Sequence, residues 1–91
     1  MLVHKQAATS ADAMQAGYFR GRFEEERSGV AAQLASLTRR LTECMTTDEM
    51  TTISHVRRAI RVAEGELRVI DRMLDAIEAR FPEEGVIRRH A

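Results

Sequence analysis

The residues of this sequence that could do chemistry are three histidines, one cysteine and a dense row of carboxylates and arginines. His4, His55 and His90 stand far apart, two of them near the chain ends. Cys44 and His55 flank one short segment, but two ligands without a third make a poor zinc site. As nucleophile and base they would also need a pocket and oxyanion donors. No Glu-x-x-His pair stands on a helical stretch, so the carboxylate-bridged di-iron pattern is missing. Gly17-x-x-x-Gly21 is no phosphate loop, since it lacks the following Lys-Ser/Thr and a preceding strand. The sequence therefore predicts no catalytic residue, no metal ligand and no cofactor. Cys44 reads as a small core residue and His55 as a polar residue on the solvent side.

Charge gives a different signal. Fourteen basic residues, thirteen of them Arg, balance fourteen acidic ones. Zero net charge disfavours a chain whose task is to coat nucleic acid or an anionic membrane. Five arginines, Arg39, Arg40, Arg57, Arg58 and Arg61, fall on either side of an expected turn and form the candidate partner-binding patch. Such a patch can follow phosphates or dock on an acidic protein. No aromatic side chains interleave with these arginines, which favours protein over single-stranded nucleic acid. Elsewhere acids and arginines alternate at helical spacing, as Glu64 and Arg68 do, the pattern of a solvated coiled-coil face. The stretch Glu66 to Asp75, with its Leu67-Arg68, Ile70-Asp71 and Asp75 rhythm, resembles the opening helix of the all-helical chorismate mutases. In that family the helix comes first, and Lys- and Arg-bearing helices follow it. Here it is the last helix of a chain with one Lys, so the resemblance implies no activity.

The elements that must position these groups are helical. Ninety-one residues make one small domain. A composition of 44% hydrophobic, 31% charged and 4% aromatic residues, with one Pro, suits helices or a coiled coil. Ile53, Val56, Ile60, Ala63, Leu67, Ile70, Leu74, Ile77 and Phe81 follow an unbroken 3-4 spacing. That heptad rhythm predicts a helix over about 47–81, stopped by Pro82, which disfavours helical dihedrals in the residue before it. Thr46-Thr47-Asp48-Glu49 has the form of a capping box with Thr46 as N-cap, and Met45 and Met50 stand where a hydrophobic staple would.

Phe23, Val30, Leu34, Leu37, Leu41 and Cys44 carry the same rhythm on a first helix over about 11–45, with Arg27 in the one missing seam position. Ser10 is its expected cap, and Gly17 and Gly21 mark an expected weak point. Residues 1–10 and 82–91 read as tails. A short turn makes the helices antiparallel. Pairing them predicts Leu41 near Ile53, Leu37 near Val56, Leu34 near Ile60, Val30 near Ala63 and Phe23 near Ile70. The same register sets Glu24, Glu25 and Glu26 beside Arg68 and Arg72.

The expected fold is thus an all-α antiparallel two-helix hairpin. Apolar residues off the seam, among them Tyr18, Phe19, Val62, Val69 and Met73, predict that dimerisation completes it to a four-helix bundle. The expected function is a non-enzymatic helical interaction protein, an adaptor, regulator or assembly subunit. Its expected partners are a second copy of itself and another protein. A small nucleic-acid-associated regulator using the arginine patch is the alternative. One cysteine allows no internal disulfide, and no apolar run approaches the ~20 residues of a membrane span. With no apolar core near the N-terminus to act as a secretory signal, a cytoplasmic location is expected.

Overall fold

A computed structural model describes the backbone of residues 2–82 and the side chains of residues 11–82. Two helices, α1 (Leu2–Thr47) and α2 (Met50–Arg80), lie antiparallel and pack against each other, joined by Asp48 and Glu49. No strand occurs among the described residues. The chain is an all-α helical hairpin. The apolar seam explains the pairing, since each helix has one stripe to bury and finds the other's.

The second helix ends as the sequence implies. Phe81, held extended before Pro82, still donates its N–H to the Ile77 carbonyl at 2.7 Å. The first helix differs at its start. It runs from Leu2 instead of beginning near residue 11, and it passes Gly17 and Gly21 without a break. Glycine weakens a helix by only about 1 kcal/mol relative to alanine, and Ala16 and Phe23, at and beyond these sites, are held against α2 as buried and half-buried residues. The expected tail over residues 83–91 lies outside the described residues.

The tip of the hairpin corrects the expected capping box. Thr46 and Thr47 belong to α1. Their hydroxyls donate back to the carbonyls of Glu43 (2.6 Å) and Cys44 (3.0 Å), so neither caps α2. Asp48 takes a left-handed conformation, φ 61°, and donates its N–H to the Cys44 carbonyl at 2.9 Å, the bond that closes a helix with an αL cap. Glu49 is the N-cap residue of α2 and makes no side-chain cap bond; its carboxylate accepts from the Thr52 hydroxyl at 3.2 Å. Met45 and Met50 are both exposed, so the expected staple is not formed.

Extending α1 to Thr47 moves the turn about two residues along the chain, and this shifts the cross-helix register by about one helical turn. Cys44 packs with Ile53 and Val56, and Leu37, Leu41 and Ile60 close around them. Further along, Arg27 meets Asp71. The expected levels, Leu41 with Ile53 through Phe23 with Ile70, are displaced accordingly. Glu24, Glu25 and Glu26 form no ion pair with Arg68 or Arg72.

Burial is thin. Ala16, Cys44, Ile53, Val56, Ala63 and Ile70 are the buried apolar residues, and no large side chain among the described residues is fully enclosed. The hairpin is one layer of helix, 15 Å across in its narrowest Cα dimension.

Candidate interaction site

The heptad rhythm of α1, continued towards the N-terminus from Phe23, falls on Arg20 and then on Ala16. Two arginines, Arg20 and Arg27, thus stand seven residues apart at seam positions. Both reach across the seam to carboxylates that are also seven apart. Arg27 forks onto Asp71, with Nε to Oδ1 at 2.6 Å and Nη2 to Oδ2 at 3.4 Å. The hydrogen bond from Arg27 holds the Asp71 carboxyl below its ordinary value of 3.8, and the same bond holds the Arg27 guanidinium above its own. Arg20, whose side chain is nearly buried, approaches Glu78 at 3.9 Å and donates to the Phe81 carbonyl. Sequence reasoning placed Arg27 on the seam but missed Arg20, Asp71 and Glu78. The signal was present: arginines and acids at matching heptad intervals on helices that must pair.

The seam residues named from the sequence occupy the interior as far as there is one. Ile53, Val56 and Ile70 are buried. Phe23, Leu34, Leu37, Leu41, Ile60, Leu67, Leu74, Ile77 and Phe81 are half-buried. Cys44 is a free, buried cysteine in this seam, whereas His55 is exposed. Among the described residues no three His, Cys, Asp or Glu side chains converge as a metal site.

Aromatic side chains gather at the open end of the hairpin. Tyr18 and Phe19 meet edge to face at 5.4 Å, Phe19 and Phe23 lie 6.4 Å apart, and the Arg80 guanidinium sits 5.5 Å over the Phe81 ring. A shallow depression of about 340 Å³ lies between Phe19 on α1 and Arg80 and Phe81 at the end of α2. A second depression, of about 370 Å³, is lined by Glu26, Glu66, Val69 and Ile70. Phe19 and Glu26 are seven apart on α1, as are Glu66, Met73 and Arg80 on α2, so both depressions open on the same broad face.

That face carries part of the exposed apolar surface, while Met14, Met45 and Met50 are exposed away from it. Phe19, Val62, Val69 and Met73 are all exposed on it, Val62 by 58%. The opposite face presents the α2 row Met50, Arg57, Glu64, Asp71 and Glu78, charged at every position after its exposed first residue. The five arginines near the tip are all exposed, but helical spacing spreads them around the hairpin. Arg40 continues the row of Phe19 and Glu26, Arg57 continues the row of Asp71, Arg61 stands near Arg57, and Arg39 and Arg58 occupy the outer edges. They form a band around the tip and not a patch on one face.

No described helix is long and apolar enough to cross a membrane. Compared with known proteins, the chain matches no protein family, no curated protein and no solved structure.

Proposed function

We propose that this chain is a non-enzymatic helical interaction protein, an adaptor, regulator or assembly subunit that acts by self-association and protein–protein contacts. The observation that carries this reading is the unfinished core. Among the described residues the single layer of two helices buries six apolar side chains, none of them large and fully enclosed, while Val62, Val69, Met73 and Phe19 stay in water along one face. Burying apolar surface stabilises by roughly 25 cal/mol per Å², so covering that face would stabilise the molecule. A cytoplasmic setting suits the free Cys44. The reading as a nucleic-acid-associated regulator rests on the arginine band; its spread over several sides supports it less than a one-sided groove would.

The test is thermal unfolding at several protein concentrations. For an associating hairpin the midpoint rises with concentration, because the assembled state is favoured by mass action. Val62→Glu together with Val69→Glu then lowers the midpoint and abolishes the concentration dependence. A midpoint independent of concentration, and indifferent to both substitutions, contradicts the proposal.

A further inference from the structure

The broad face carrying Phe19, Val62, Val69 and Met73 has a charge pattern that reads the same in both directions once signs are exchanged. On α1 the residues facing this way include Arg22, Glu26, Gly29, Gln33, Ser36, Arg40 and Glu43, by helical spacing from Phe19 and Glu26, which line its depressions. Two copies of α1 laid antiparallel and centred at Ala32-Gln33 bring Arg22 to the level of the partner's Glu43 and Glu26 to that of the partner's Arg40. Gly29 then meets the partner's Ser36, small against small, and Gln33 meets its own copy. Between Arg22 and Glu43 each of the row's four charged residues finds the opposite sign.

The second helix repeats the symmetry independently. Val62 and Val69 are balanced about the segment Gly65-Glu66, and so are Ala59 and Met73. Two antiparallel copies of α2 centred there set Val62 on the partner's Val69 and Ala59 on the partner's Met73. The centres on the two helices lie at nearly the same level of the hairpin, given the register that Arg27–Asp71 fixes. One dyad can therefore satisfy both helices.

We infer that this face docks a second copy of the chain, hairpin on hairpin and head to tail, giving an antiparallel four-helix bundle with its dyad beside Gln33 and Glu66. The inference deepens the interaction reading above and rests on it. A two-fold interface is self-complementary by necessity, and a foreign partner would impose no such palindrome on either helix. Glu66 meets its own copy at the dyad, the one like-charge encounter in the arrangement, and marks where the association can be strengthened.

The experiment is sedimentation equilibrium of the full chain and five variants at low salt, with circular dichroism checking that each remains helical. Arg40→Glu sets like charges against the partner's Glu26 twice per dimer and is expected to weaken association on the order of tenfold. Glu26→Arg alone weakens it similarly, and the double variant Arg40→Glu/Glu26→Arg restores it. Glu66→Gln tightens it. Arg58→Glu, on the outer edge, leaves it unchanged and serves as the control.

Association that persists in the parent chain but ignores Arg40→Glu, or that the double exchange fails to rescue, overturns the head-to-tail face while leaving an interaction protein. A parent chain that stays monomeric at every concentration overturns the second copy as occupant. If its thermal midpoint is also independent of concentration and of Val62→Glu/Val69→Glu, the wider reading falls with it.

Discussion

At the scale of single residues, the arginines matter where they stand on the seam. Arg27 takes a position that the heptad reserves for an apolar side chain, and its fork onto Asp71 spans from one helix to the other at 2.6 Å. A half-exposed pair of this kind adds little to overall stability, but it rewards only one register and so selects among the slips a repetitive seam allows. Its pH signature has a definite sign. Because the folded state holds the Asp71 carboxyl below its ordinary 3.8, the pair's contribution is present above that value and is lost as the pH falls through the lower, folded one. Asp71→Asn should therefore flatten the acid limb of the stability curve below about pH 4 and leave the limb above it unchanged in slope. Chemical unfolding followed across that range checks it, and an acid limb identical to the parent's would show that Asp71 carries none of the dependence.

At the scale of elements, the turn sets everything beyond it. Asp48 holds φ 61°, a conformation that costs an ordinary residue energy and that glycine adopts freely. Asp48→Gly is expected to stabilise the hairpin by about 0.5 to 1 kcal/mol, and Asp48→Ala to destabilise it. Thermal midpoints at one fixed concentration would show the two changes with opposite signs; shifts of the same sign would mean that the strain is not at this residue. The turn is also where the sequence misled. Thr46-Thr47-Asp48-Glu49 matches a capping box letter for letter, yet the threonine hydroxyls bond backward to Glu43 and Cys44. Threonine serves equally as the end of one helix or the start of the next, and local pattern does not choose between them. The rods themselves were legible because a 3-4 spacing repeated over nine apolar positions has no other regular solution. The register was not, because it hangs on where the turn closes, and one helical turn of slip keeps every apolar residue on the seam. Arg20, Asp71 and Glu78 escaped notice for the same reason: their matching intervals are meaningful only once the register is known.

At the scale of the whole molecule, two helices in one layer leave a face that needs covering. The charged residues Arg57, Glu64, Asp71 and Glu78 line one broad side, and Phe19, Val62, Val69 and Met73 are exposed on the other, with Met14, Met45 and Met50 exposed away from it. In the proposed bundle four further charges stand at reciprocal positions, Arg22 and Glu26 against the partner's Glu43 and the partner's Arg40. The proposed bundle would divide the five arginines at the tip: Arg40 on the docked face, and the other four outside it. The most direct measurement of this arrangement is disulfide trapping in a Cys44→Ser background. A cysteine placed at Gln33, beside the dyad, should give a covalent dimer under mild oxidation at micromolar concentration, while one at Ala35, exposed on the other side of α1, should not. No cross-link at position 33, or equal cross-linking at both positions, would contradict the head-to-tail bundle.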